Sequence, residues 1–222
     1  MENSQLIAMI TEAAIKQICH RSENNKIPVA ISNRHVHLSQ RDIKILFGEH
    51  HTFKIKKVLS QPKQYACEEK VTLVGVKGVI ENVRILGPSR THTQVEISVS
   101  DGIKLGISPP VRDSGDLANS ASITLVGPLG CLTLQEGVIV AARHIHMHTT
   151  DAERFGVKDK ERISVTAAGP RGLVFNETLI RVSEHYRLEM HIDIDEANAA
   201  SLHNQDYVEI HQTHSNTQKS FL

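Results

Sequence analysis

Two stretches of this 222-residue chain repeat one another, and that repetition limits the folds open to it more than any bulk property does. Arg34-His-Val-His-Leu, followed by Asp42 and Phe47-Gly48, is matched by Arg143-His-Ile-His-Met, followed by Asp151 and Phe155-Gly156. Further along, Val95-Glu-Ile-Ser98 can be laid over Leu188-Glu-Met-His191. A chain of this length built from two similar halves gives each about 100 residues, enough for a modest core of its own.

The local pattern within the halves is β-rich. Three similar hairpins recur, each a pair of short apolar runs around a G-x-x-G turn: Gly75-Val-Lys-Gly78, Gly127-Pro-Leu-Gly130 and Gly169-Pro-Arg-Gly172. Many short strands with glycine turns and few long helices favour small barrels over a βαβ sheet. The expected fold is therefore mainly β with short helices: two similar β-barrels arising from an internal duplication, preceded by an N-terminal amphipathic helix. Residues 1–26 form that helix and a linker, 27–118 the first barrel half, 119–210 the second, and 211–222 a polar tail. Ile7, Ile10, Ala14 and Ile18 supply the apolar stripe of the first helix. Ser39 with Asp42 gives the helix after the first motif a capping-box start. His148 stands at the matching place in the second copy, so that helix is expected to begin at Thr149.

Composition narrows the function classes. The 25 basic and 25 acidic residues balance without a run of one sign, which leaves no electrostatic footprint for nucleic acid. Cys19, Cys67 and Cys131 are widely spaced and lack a C-x-x-C pair, so neither a disulfide scaffold nor a Cys-rich zinc site is expected, and a reducing cytoplasmic setting fits. No apolar run approaches the roughly 18 to 20 residues of a membrane span, and the acidic N-terminus does not resemble a secretory signal.

Histidine is the compositional outlier, with 14 residues, and four of them sit in the repeated motif. Side chains two apart on a strand share a face, so His35 pairs with His37 and His144 with His146, while Val36 and Ile145 enter the opposite layer. Two imidazoles on one face can share a metal. A catalytic zinc takes three protein ligands and keeps a fourth position open. Glu96 and His191, on strands expected to be equivalent, are the candidate third partners. By spacing alone, Glu96 also reads as a solvated strand charge and His191 as a cross-strand polar residue. Ligand type suits zinc but also admits cobalt, manganese or iron. By the same alternation Arg34 and Arg143 face away from the metal and are expected to brace the sheet. The other histidines show no such pattern.

Four segments together, Val29-Ala-Ile-Ser-Asn-Arg-His-Val-His-Leu-Ser39, Gly87-Pro-Ser-Arg-Thr-His-Thr-Gln-Val-Glu-Ile-Ser98, Pro109-Pro-Val-Arg-Asp-Ser-Gly115 and Ala142-Arg-His-Ile-His-Met147, resemble the PduL-type phosphotransacylases, the phosphate propanoyltransferases of bacterial microcompartments. The resemblance covers roughly residues 27 to 210. It implies paired barrels, a two-zinc site in the cleft between them, and reversible acyl transfer between coenzyme A and phosphate, with propanoyl-CoA and acetyl-CoA as the leading substrates. Carried onto this chain, one zinc falls to His35, His37 and Glu96 and the other to His144, His146 and His191. The family also implies a phosphate-binding Arg90 and coenzyme A contacts around Ser32, Lys57, Arg84, Leu86, His191 and Asn198. In the family the N-terminal extension is often an encapsulation helix, which would make residues 1–20 a contact for microcompartment shell or lumen proteins and place the enzyme in that lumen. No membrane partner is expected, and a homo-oligomer is.

No Ser-His-Asp arrangement or shared cysteine motif is evident, so direct attack by phosphate is expected without an acyl-enzyme. On spacing alone Arg90 reads slightly better as a surface residue after the Gly87-Pro88 turn, and Arg112 with Asp113 reads equally as a structural salt bridge or a ligand contact. Two other classes compete: a zinc hydrolase of a thioester or related substrate, in which water replaces phosphate, and a metal-stabilised, non-enzymatic microcompartment component with its zinc closed to substrate.

Overall fold

The computed structural model describes residues 25–211 together with Met9 and Thr11. The helix and linker expected over residues 1–26 and the tail expected over 211–222 therefore fall almost entirely outside the described residues.

Fourteen strands and four short helices are described, and the strands close into two barrels. The first ring runs through β4 (Tyr65–Val74), β5 (Val79–Gly87), β2 (His35–His37), β6 (Gln94–Glu96), β9 (Cys131–Ala141) and β8 (Ala121–Val126), which pairs back onto β4. Two further strands hang on it, β3 (Ile55–Val58) beside β4 and β7 (Val111–Arg112) beside β9. The second ring runs through β11 (Arg162–Ala167), β12 (Leu173–Val182), β10 (His144–Met147), β13 (Glu189–Asp193), β1 (Lys26–Ser32) and β14 (Tyr207–Ile210), which returns to β11.

The two rings match strand for strand and in the sense of every pairing. β2 runs parallel to β5 and antiparallel to β6, as β10 does to β12 and β13. β9 lies parallel to β6, as β1 lies parallel to β13. The duplication in sequence is thus a duplication in space, with one exchange. The strand leading into each histidine motif belongs to the other barrel: β1 precedes His35 but sits beside β13, and β9 precedes His144 but sits beside β6. The pairing therefore crosses the division expected near residue 118, because the hairpin 121–141 completes the first barrel and residues 26–32 complete the second. The chain passes from one barrel to the other just ahead of each motif.

Strand alternation fills each barrel. Val36, Ile85, Val95 and Val138 are fully buried in the first, and Ile145, Ile180 and Met190 in the second. Each such side chain stabilises the fold by about 1.5–3 kcal/mol through burial. The residue inside each H-x-H motif is thereby committed to the barrel core, and its two flanking histidines to the outer wall.

The helices, α1 (Gln40–Phe47), α2 (Val99–Leu105), α3 (Thr149–Phe155) and α4 (Ile194–Ala200), each follow a strand that carries a candidate ligand. Ser39 caps α1 by accepting from the Asp42 N–H. The second copy starts at Thr149, and His148 itself does the capping: its Nδ1 accepts from the Thr150 N–H at 3.2 Å. Two of the three glycine hairpins clasp helix ends. A Cβ at Gly75 would lie 2.2 Å from the Leu105 carbonyl oxygen at the end of α2, and one at Gly127 would lie 2.6 Å from the Leu46 carbonyl oxygen at the end of α1. The third hairpin holds no helix this way, since a Cβ at Gly169 meets nothing within 4 Å. No helix among the described residues is long and apolar enough to cross a membrane.

Candidate metal centre

His35 stands directly across the sheet from Glu96, and His144 directly across from His191. Each motif's second histidine, His37 or His146, lies on the same face two residues on. The ligand-type atoms of His35, His37 and Glu96 all fall within 4.8 Å of one another, as do those of His144, His146 and His191. In the structure the register pairs Val95 with Val36 and Met190 with Ile145, so Glu96 corresponds to His191 and Gln94 to Glu189. Laid letter on letter, the two sequence stretches match Glu96 to Glu189 instead. Matching the two glutamates is the stronger pattern by letter, but the sheet sets the true offset two residues later.

The first triad is buried. His35 donates from Nδ1 to the Asn33 carbonyl at 2.8 Å, which turns Nε2 toward the Glu96 carboxylate at 3.5 Å. Burial works against protonating His35, yet Glu96 outweighs it and raises the imidazole pKa. Burial would likewise raise the Glu96 pKa, but His35, His37 and Arg90 hold this carboxylate well below its usual range. His37 goes the other way: burial, His35 and Arg90 push it down to about 3.

The second triad follows the same plan. His144 donates from Nδ1 to the Ala142 carbonyl at 2.9 Å, and its Nε2 comes within 3.2 Å of His146 Nε2. Burial and His191 push His144 down to about 4, while burial, His144 and His191 push His146 to about 2. Both imidazoles are therefore neutral at physiological pH and hold lone pairs at close quarters. Nδ1 of His37 and of His146 is buried without a hydrogen-bond partner. Neutral imidazoles, one ionised carboxylate and leftover donor capacity fit a divalent transition metal such as zinc, with three protein ligands and a fourth position for substrate.

Supporting residues hold each candidate third ligand. The Ser114 hydroxyl donates to Glu96 at 3.0 Å, the Gln94 amide also donates to Glu96, and Gln94 is fixed in turn by the Gly115 N–H at 2.9 Å. In the second triad Glu189 meets His191 Nε2 at 2.9 Å. Glu189 receives hydrogen bonds from Ser60 at 2.5 Å and from Gln61 at 3.2 Å, both on the β3–β4 loop of the first barrel. That loop ties the barrels together beside the metal-type site.

Both triads open into one cavity of about 680 Å³ between the barrels. Arg90, Ser32, Lys57, Arg84, Leu86 and His191 all line it. Arg90 is placed by the turn after Gly87-Pro88, where its N–H donates to the Leu38 carbonyl at 3.0 Å and Nη1 donates to Ser114 at 3.2 Å. Arg84 is anchored by donating to the Cys67 and Glu68 carbonyls at 2.8 Å. Asn198 is not among the lining residues and lies exposed on α4. Arg34 and Arg143 pair with the acidic side chain at the third position of a nearby helix, Asp101 of α2 at 2.8 Å and Glu196 of α4 at 2.6 Å. Both arginines thus brace the helix that follows the third ligand, although Arg34 also borders the cavity.

Sequence reasoning did not single out Gln94, Ser114, Arg181, Tyr186, Gln61 or Glu189. Gln94 and Glu189 carried a usable signal, since each lies two residues before a third ligand and so on its face. Ser114 and Gln61 carry no periodic signal, because they reach the site through loops, although Ser114 falls within the Pro109-Pro-Val-Arg-Asp-Ser-Gly115 segment.

A family profile described as Phosphate propanoyltransferase matches residues 28–203. A phosphate propanoyltransferase of Thermotoga maritima is 56% identical over 185 residues, covering 83% of this chain and 88% of that protein. One from Clostridioides difficile is 48% identical over 199 residues, covering 90% and 93%. One from Salmonella typhimurium is 48% identical over 196 residues, covering 88% and 93%.

Proposed function

Because the chain belongs to the phosphate propanoyltransferase family, a family of acyltransferases, we propose that it moves a short acyl group, propanoyl first and acetyl second, between coenzyme A and inorganic phosphate, with a zinc ion at each triad. In the forward direction a phosphate oxygen forms a bond to the thioester carbonyl carbon and the carbon–sulfur bond breaks. The phosphate proton ends on the departing thiol, leaving an acyl phosphate and free coenzyme A. The observation that carries this reading is the single cavity into which both triads and Arg90 open.

When bound, zinc supplies Lewis-acid charge stabilisation and a template for anions. The chain's own groups do the rest. Arg90, steadied by Ser114, offers a planar fork of donors matched to phosphate oxygens. Lys57 and Arg84 bring positive charge to the cavity wall for the phosphates of coenzyme A, with Ser32, Leu86 and His191 beside them. Asn198, exposed on α4, contributes from outside that wall. Direct transfer is supported by the described cysteines: Cys67 is buried with its thiol pKa pushed up to about 11, and neither it nor Cys131 lines the cavity. Residues 1–20 act as an address to the lumen of a bacterial microcompartment, and the enzyme works there as a homo-oligomer.

The test mixes zinc-loaded protein with propanoyl-CoA, with and without phosphate. Free coenzyme A is expected only when phosphate is present, matched by an equal amount of acyl phosphate trapped as the hydroxamate. Release without phosphate would instead identify a hydrolase.

A further inference from the structure

Arg181 lies on β12 in register with His146, so its side chain leaves the sheet on the cleft face beside the second triad. It borders the cavity, and among the described residues no hydrogen bond or ion pair engages its guanidinium. Its charge is felt at His144, at His146 and at Arg90, which reaches in from the first barrel. The barrel plan does not require an arginine here. The matching place on β5, one residue past the Val36–Ile85 pair and so beside His37, is occupied by Leu86. Two guanidiniums in one cleft repel each other, and Glu96 is the anion that faces Arg90. Such a pair is stabilised by a doubly charged tetrahedral ligand that gives each planar fork its own oxygens.

We propose that Arg181 and Arg90 form a two-guanidinium clamp across the two triads, which seats the phosphate acceptor and the phosphoryl end of the acyl phosphate. Arg90 grips from the first barrel and Arg181 from the second, so the acceptor is held at the seam between them. The clamp rests on the phosphotransacylase reading above, but its binding step can be measured without turnover.

The experiment compares zinc-loaded wild-type protein with Arg181→Gln and Arg181→Lys in two arms. In the kinetic arm, Arg181→Gln raises the KM for phosphate by roughly ten- to a hundredfold, the scale of a lost hydrogen bond to a charged group, and leaves the KM for propanoyl-CoA within about twofold. Arg181→Lys recovers part of the loss, because it keeps the charge but not the fork. In the binding arm, calorimetric titration of inorganic phosphate without thioester shows the same loss of affinity at unchanged zinc content. A rise in the propanoyl-CoA KM with phosphate KM unchanged, or wild-type phosphate affinity in Arg181→Gln, overturns the clamp. A wild-type protein that binds phosphate through Arg181 but releases no coenzyme A would remove the phosphotransacylase reading and leave the clamp standing.

Discussion

Glu96 and His191 occupy the same place on their two barrels, each directly across from the first histidine of its motif. Two residues earlier on the same strands the chemistry is reversed: the Gln94 amide supports Glu96, and the Glu189 carboxylate supports His191. Each barrel thus spends one carboxylate on its pair of third ligand and support. In the first triad that charge would touch the metal, and in the second it would act through an imidazole. A ligand carboxylate neutralises a cation directly, whereas a carboxylate behind a histidine fixes the ring and raises its basicity. The two sites therefore share a backbone and differ in where their negative charge sits. The surroundings differ accordingly, since Glu96 is held by its own barrel through Ser114 and Glu189 by the other barrel through Ser60 and Gln61.

The largest expected effect comes from removing a motif histidine. His144→Ala should strip the second zinc and lower turnover by on the order of 10³-fold, the upper range for loss of one electrostatic donor, while the protein stays folded. Metal analysis beside circular dichroism checks this, and full zinc content with full activity would count against the site.

Next come the carboxylates. Glu189→Gln should weaken zinc binding at the second triad by roughly 10- to 100-fold, the usual cost of losing a support behind a ligand histidine. Glu96→Gln should weaken the first triad more, because it removes a ligand. Competition with a chromogenic chelator ranks the two. The sharper version is a transplant: Gln94→Glu with Glu96→His copies the second arrangement onto the first, and the double variant should bind zinc more tightly than Glu96→His alone.

A pH effect follows from the lowered imidazoles. With metal removed, His144 and His146 resist protonation down to about 4 and about 2, whereas in the unfolded chain they titrate near 6.5. Through these two groups the unfolded state binds more protons below pH 6.5, so their contribution to stability falls as pH drops from there toward 4. Melting temperatures of chelated protein across that range should decline, and zinc should lift them more at pH 7 than at pH 5, since protons compete for the ligands.

The smallest effect belongs to the braces. Arg34→Ala and Arg143→Ala each break a partly exposed ion pair, so each should cost about 1 kcal/mol or less in denaturant melts, with similar values if the halves are equivalent.

Much of this is legible in the sequence alone. Strand alternation alone commits Val36 and Ile145 to the barrels and turns the flanking histidines outward, and the repeat makes two small barrels the natural fold. The exchange of β1 and β9 was not legible, because local pattern marks where a strand is but not which sheet it joins. The third-ligand offset was hidden by Glu189, a glutamate that copies the letter of Glu96 but not its place. Ser114 and Gln61 come from loops whose path depends on the packing of both barrels, and no period in the sequence points to them.

The most direct test of two triads working as one centre is to titrate zinc into chelated protein while following phosphate-dependent release of coenzyme A from propanoyl-CoA. Activity is predicted to rise to a plateau at two zinc ions per chain. A plateau at one, or full activity before any metal is added, would contradict it.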